Sequence, residues 1–433
     1  MRIVIISETS SENVGYATTC LPKALAALGH EVHLVASNAQ IYYNDSFYKE
    51  VYEHFLGPGI TECGIKQIDG YTLHRIPFER TKSKFTLVGL YKKLKELKPD
   101  VVQTFSVTAE STYQAALYKS LLGYKLFTAN HVLASVFPAA QKSQGNSTEL
   151  QQSEKENGAA ITQINRKVNR LSLGYLIDGT KNRIRKYFGD TYSNKIRFIN
   201  KVTHTCYPAT TDAADIAIKF FGVPENKIKI NILGVDTDIF KPIDGNDLEK
   251  ERRKIREENG YAENDILCIY TGRFTEGKNP LCLAKAIEQL IADGKPYKAL
   301  FIGYGPQNTA IAATKGCKIL PFMNYKELAK FYRAADIGVW PRQESTSVLD
   351  ASACGLPVVI SDKVLALERK EGNGLTYHEN DAEDMKNTLL LLQDKKYRQE
   401  LGKLGIEKIF KNQRWLDIAN RRVHDYENAL SDG

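Results

Sequence analysis

Apolar residues recur along this chain in two alternating rhythms. Ile3–Ile6 is an unbroken apolar run, the pattern of a central parallel strand buried on both faces. After a loop over 7–14, Gly15–Leu28 reads as a helix, with Ala24, Leu25 and Leu28 on its apolar side. Glu31–Val35, Val101–Phe105 and Lys125–Thr128 read as further strands, the last two each after a helical stretch. The alternation restarts near Gly222-Val223-Pro224. Strands are predicted there over Ile228–Ile232, Ile266–Thr271, Ala299–Ile302, Lys318–Leu320, Ile337–Trp340 and Val358–Ile360, with helices between them. Strands alternating with helices through short loops give a parallel, doubly wound α/β sheet. A chain of 433 residues is too long for one core. The division predicted is 1–221 and 222–411, followed by a terminal helix in 412–433, where Trp415, Ile418, Ala419, Val423 and Tyr426 fall at helical spacing.

Residues from about 140 to 201 interrupt the first series. Gln141–Gly158 is polar and reads as a loop. Ile164, Val168, Leu171 and Tyr175 then recur at helical spacing, with Arg166, Lys167 and Arg170 off that stripe. A second basic stretch follows, containing Arg183, Arg185 and Lys186. Between Arg166 and Lys201 there are ten Lys or Arg and two acids, a net of +8, which equals the net charge of the whole chain. The excess is therefore one local patch. Beside an amphipathic stripe it suggests contact with anionic lipid head groups or a phosphate-bearing acceptor; a set of solvated helix faces is the plainer alternative. No groove-reading fold or stacking platform points to nucleic acid.

Charged residues at 25% and apolar ones at 42% are ordinary for a globular protein. The chain opens on a strand, so no secretory leader is expected, and no run approaches a spanning helix. Seven cysteines are scattered, none in a Cys-x-x-Cys pair. Buried, reduced thiols are expected, and with them a cytoplasmic setting, possible peripheral membrane contact included.

The chemistry concentrates in two stretches. In Tyr270–Asn279 a strand ends at Gly272, and Arg273 and Lys278 follow five residues apart before a helix. Two cations then stand at the carboxyl end of a strand, where open α/β sheets bind ligands. A guanidinium fork and a mobile ammonium suit two adjacent phosphates; a pair of surface cations is the alternative. In Trp340–Val359, Glu344, Ser345, Thr346, Ser347 and Asp350 lead into a helix. Carboxylates beside a phosphate site need hydroxyl partners, which a ribose and a hexose would supply.

Taken with Gly303-Tyr304-Gly305-Pro306, these stretches resemble the retaining GT-B glycosyltransferases of glycosyltransferase family 4. Gly222–Ile230 and Leu233–Pro242 are similar to that family's linker, and Met1–Ser7 with Gly29–Val32 to its start. The resemblance implies two Rossmann-like domains facing a cleft and a terminal helix crossing back to the first. It implies transfer of a hexose or hexosamine, with retention, from a nucleotide sugar such as a UDP-hexose or GDP-mannose to a hydroxyl of a glycan or lipid-linked acceptor. It assigns Arg273 and Lys278 to the diphosphate, Asp350 to the ribose, His131 to the donor sugar's hydroxyls, and Gly15 and Gly272 to close backbone approach. The base is expected near Pro321–Met323, around Phe322.

Two departures from the family pattern stand out. Asp350 replaces a glutamate, and Arg342 stands eight residues before it, where the family has an acid. Either Glu344 serves on a shortened loop, or the sugar-reading carboxylate is missing; a helix cap is the plainer reading of Glu344. His131 also reads as an ordinary structural histidine, and Gly15 as a plain turn. Asp236-Thr237-Asp238 lies in the linker, not beside a strand, and no His/Cys metal spacing occurs, so no metal or other cofactor is expected. The absence of Gly-x-Gly-x-x-Gly speaks against a dinucleotide enzyme. Two other classes remain: a nucleotide-sugar 2-epimerase on the same fold, and a non-catalytic nucleotide-sugar-binding subunit.

Overall fold

The computed structural model describes residues 1–81, 84–134, 137, 192–342, 345–366, 369 and 371–432. Gln141–Gly158, the stripe from Ile164 to Tyr175, and Arg166, Lys167, Arg170, Arg183, Arg185 and Lys186 lie outside the described residues.

Through residue 231 the elements run β1 (Arg2–Ser7), α1 (Ala17–Ala27), β2 (Glu31–Ser37), α2 (Tyr48–Val51), α3 (Glu53–Leu56), β3 (Gly64–Ile68), β4 (Tyr71–Ile76), β5 (Phe78–Arg80), β6 (Phe85–Leu87), α4 (Leu90–Leu97), β7 (Val101–Thr104), α5 (Glu110–Leu122), β8 (Lys125–Asn130), α6 (192–202), β9 (Cys206–Pro208) and α7 (Thr211–Lys219). Beyond it come α8 (Asn246–Glu258), β10 (Ile266–Arg273), α9 (Pro280–Ala292), β11 (Tyr297–Tyr304), α10 (Asn308–Ala312), β12 (Cys317–Leu320), α11 (Tyr325–Ala334), β13 (Ile337–Trp340), α12 (Ser347–Ala353), β14 (Val358–Ser361), β15 (Gly374–Tyr377), α13 (Ala382–Leu391), α14 (Lys395–Asn412) and α15 (Trp415–Ser431). Two compact units emerge: Met1, Ile3–Ile6 and Glu79–Asn231 in one; Arg2, Ser7–Phe78 and Ile232–Gly433 in the other.

In the first unit β1, β7, β8 and β9 lie side by side and parallel. Ile3 pairs with Val101 and Ile6 with Thr104. The apolar run of β1 is wholly buried, as an unalternating strand requires. Thr210 ends the loop before α7 by accepting a hydrogen bond from the Ala213 amide, an N-cap that satisfies one orphan donor.

In the second unit β2 and β4 pair in parallel and β3 joins β4 antiparallel. Its other sheet is all parallel, in the order β12-β11-β10-β13-β14-β15. Leu267–Tyr270, Ala299–Ile302 and Val358–Ile360 make its buried centre, with Tyr332 and Trp340 against them. Pro280 starts α9 at its first turn, where the missing N–H is no loss. The terminal helix α15 buries Trp415, Ile418, Ala419 and Tyr426, and it packs on α1.

One expected strand is absent. Ile228–Ile232 makes only an isolated bridge at Ile228. Lys229 and Asn231 still donate to the Cys206 and Pro208 carbonyls (3.0 and 2.9 Å), but Ile230 is exposed. Only Ile228 packs on the apolar cluster around Cys206 and Phe220, so the alternation is not matched by a continuous buried face. Strands β3, β4, β5, β6, β9 and β15 were not anticipated. All seven cysteines are free; Cys63 is exposed, against the expectation of burial.

Candidate functional site

Two strand ends build the floor of the site in the second unit. The loops after β10 and β11 lie against each other: the Phe274 amide donates to the Tyr304 carbonyl (2.9 Å), and the Gln307 amide to the Phe274 carbonyl (2.9 Å). Gly303, at φ +153, makes this approach possible. A Cβ there would stand 1.9 Å from the Gly272 carbonyl oxygen. Behind the loops, Thr271 Oγ1 is 2.7 Å from the buried Tyr332 hydroxyl, and Trp340 Nε1 donates to the Thr271 carbonyl (3.2 Å). The end of β10 is thereby fixed.

Arg273 leaves this floor half exposed. Its guanidinium lies 3.5 Å from Asp45 Oδ2 and 4.7 Å from the centre of the Tyr42 ring. Both partners belong to the segment 41–56, which sequence reasoning had left unread. Tyr42 takes φ +60, a left-handed backbone that is rare for a bulky residue. Its hydroxyl is 2.6 Å from that of Tyr16, and its ring stacks on Tyr52 (4.8 Å). Tyr52 in turn stacks on Phe322 (5.5 Å), and His54 Nε2 lies 2.8 Å from the Phe322 carbonyl. Burial raises the Tyr52 phenol, while Arg273 draws it back. Phe322 and Arg273 are thus brought to one aromatic wall. The available signal was the aromatic density of Ile41–Phe55 itself.

Lys278 sits half-buried in the turn before α9, its amide donating to the Thr275 carbonyl (3.0 Å). Gly15, at φ +62, lies against Tyr325, whose ring would stand 2.4 Å from an added Cβ, and the Tyr325 amide donates to the Asn13 carbonyl (3.1 Å). The loop after β1 therefore meets the start of α11, and Gly15 is needed there for close contact as well as for its turn.

On the other side of the floor, the Ser347 amide donates to Ser345 Oγ (3.3 Å) and the Leu349 amide to the Thr346 carbonyl (2.9 Å). Burial pushes the Asp350 carboxyl up to about 8; Arg369 opposes the rise and Asp236 adds to it. Arg369 is buried and donates to the Ser345 carbonyl (3.4 Å). Glu344 lies outside the described residues. Arg342 pairs with Glu379 (3.1 Å), and Ser361 Oγ donates to the same carboxylate (2.7 Å). A carboxylate thus reaches this edge from the loop after β15, which sequence reasoning missed. Lys23 on α1 clasps Asp236 and Asp238 at 2.9 and 3.0 Å, so the linker acids serve an ion pair.

His131 belongs to the first unit, just past β8. Its ring lies 5.9 Å from Phe105, and the neighbouring Asn130 donates to the Ala213 carbonyl (2.8 Å). Among the described residues no three His, Cys, Asp or Glu side chains group to hold a metal ion, and no helix is long and apolar enough to cross a membrane. A separate pocket of about 490 Å³ in the second unit is lined by Glu12, Asn13, Gln40, Lys66 and Arg75 among others.

Two Rossmann-like sheets with their ligand-facing loops at strand ends define the GT-B fold. The whole chain superposes on sucrose-phosphate synthase from Thermosynechococcus elongatus (TM-score 0.64, 16% identity, all of both chains). It superposes as well on Anabaena HepE in complex with UDP and glucose (TM-score 0.63, 13% identity, 99% of this chain and 100% of the other). Residues 265–395 match the model of the family described as Glycosyl transferases group 1. A stretch of 169 residues is 27% identical to D-inositol 3-phosphate glycosyltransferase of Geodermatophilus obscurus, covering 35% of this chain and 36% of that protein. The chain spans less than two thirds of the length of the curated relatives it matches.

Proposed function

We propose that this protein is a glycosyltransferase that moves a hexose or hexosamine from a nucleoside diphosphate sugar to a hydroxyl of a glycan or lipid-linked acceptor, with retention and without a metal. The observation that carries the proposal is Arg273 at the end of β10, held at its exposed side by the Asp45 ion pair, the Tyr42 ring and the Tyr52 phenol. A pyrophosphate can exchange with Asp45 for that guanidinium, gaining a bidentate partner in place of a monodentate one. The complex of HepE with UDP and glucose supports a nucleotide sugar as the donor.

In this reading Arg273 and Lys278 take the charge that develops on the departing diphosphate, the role a metal fills elsewhere. Phe322 borders the base. Asp350 meets the ribose, and its raised carboxyl at neutral pH is largely protonated and donates to a ribose oxygen. Glu344, Ser345, Thr346 and Ser347 face the sugar and phosphates, with Gly15 and Gly272 allowing backbone approach. His131 acts by orienting hydroxyls. The leaving phosphate takes the proton from the incoming acceptor hydroxyl. The acceptor's anionic group is drawn by the cations of 166–186, on the cytoplasmic side of a membrane.

Nucleoside diphosphate release by purified protein, over a panel of UDP and GDP sugars with saccharide and lipid-linked acceptors, tests the reading. Product with the donor's anomeric configuration is expected. Conversion of donor alone would make it an epimerase, and binding heat without turnover a binding subunit; either result overturns the proposal.

A further inference from the structure

Helix α5 of the first unit carries an inverted pattern. A helix on a sheet normally buries its large aliphatic residues and shows its small ones. In α5 the reverse holds: Ala115 and Ala116 are buried at 0% and 1% exposure, while Leu117 and Leu121 stand 41% and 70% exposed. Tyr113, Leu117 and Leu121 are spaced by four and share one outward stripe. The stripe continues onto both neighbours. Tyr118 meets the exposed Tyr91 of α4 edge-on at 5.2 Å, and Tyr113 meets the exposed Phe198 of α6 at 6.2 Å. Three helices thus present one contiguous apolar band, the kind of patch that marks an interaction surface.

Its charge identifies the partner. Glu96 is taken by Lys93 (2.9 Å) and Glu110 by Lys195 (2.6 Å). Lys92, Lys95 and Lys98 along α4 and Arg197 and Lys201 on α6 stand exposed beside the band. The last two end the stretch that holds the chain's whole excess of positive charge. A second copy docking through this face would set that basic rim against itself. An anionic bilayer supplies what both parts need: lipid acyl chains for the leucines, interfacial depth for the tyrosines, and phosphates for the lysines.

We infer that the outward face of α4, α5 and α6 docks on the surface of an anionic lipid bilayer. The inference goes beyond the transfer reaction and does not depend on it, since binding is measured without donor or acceptor. The full chain is floated with vesicles of phosphatidylcholine alone and of phosphatidylcholine with phosphatidylglycerol, at low and high salt. Binding to the anionic vesicles is expected, weakened by salt. The double variant Leu117→Ser, Leu121→Ser should lower partition roughly tenfold, and Lys92→Glu with Lys95→Glu should abolish the gain from phosphatidylglycerol. Both pairs are exposed, so melting midpoints should not move. No flotation of the native chain overturns the inference. Undiminished flotation of the leucine variant also overturns it and leaves the cations of 166–186 as the anchor. So does a native dimer by light scattering that the leucine variant dissociates, which would make the face an interface between copies.

Discussion

The guanidinium of Arg273 lies 3.5 Å from the carboxylate of Asp45, two residues 228 positions apart in the chain. The cation proposed to hold the donor's diphosphate is thus engaged by an internal anion. Asp45 competes with an incoming pyrophosphate and repels it.

Asp45→Asn should therefore tighten nucleoside diphosphate binding. The pair is partly solvated, and such pairs contribute about 0.2–1 kcal/mol, so the gain should be up to roughly fivefold in Kd. Isothermal titration of UDP or GDP measures it. Unchanged or weaker binding would show that Asp45 supports Arg273 in the loaded site rather than blocking it.

Lys278→Ala should lower kcat by at least ~10²-fold, the scale for deleting one donor to transition-state charge. Arg273→Ala should do the same and also raise the donor KM. Single-turnover assays at saturating donor separate the two effects. Full turnover by either variant would remove that side chain from the mechanism.

Gly303→Ala tests the floor of the site. The added Cβ meets the Gly272 carbonyl oxygen at 1.9 Å, and the backbone at φ +153 disfavours any L side chain. A loss of at least about 2 kcal/mol is expected, or a fall in Tm of roughly 4 °C or more. Gly294→Ala is the control: it shares a positive φ (+72) but has open space around the Cβ. Equal losses in both would assign the effect to φ alone.

Asp350 makes a prediction in pH. Its folded carboxyl titrates at about 8, above its unfolded value. The folded chain therefore holds the proton more tightly across that window, and stability falls as pH rises from about 4 to 8. Asp350→Asn mimics the protonated form and should flatten this slope, so the variant gains on the parent in Tm as pH climbs from 5 to 8. Parallel curves for the two proteins would place the carboxyl in water.

Strand positions were legible because a buried parallel strand needs a continuous apolar run, and Ile3–Ile6, Ile266–Thr271 and Val358–Ile360 supply one. Ile228–Ile232 alternates Ile with Lys and Asn, the pattern of a half-buried strand, yet Ile230 faces solvent; alternation does not say whether a partner face exists. The placement of Arg273 and Lys278 at and after a strand end was legible for a local reason: they follow an apolar run and a glycine. Their neighbours were not. Asp45, Tyr42 and Tyr52 reach Arg273 and Phe322 only through tertiary folding, and no spacing rule links positions so far apart. Arg342 was readable as a departure from the family pattern, but not the capture of Glu379 that accompanies it.

The packing of α15 on α1 gives the chain an order of events. Helix α1 gains part of its cover only when α15 has been made. Until then that face of α1 stays open, and chains cut short before Trp415 should be clients of chaperones and proteases rather than half-finished proteins.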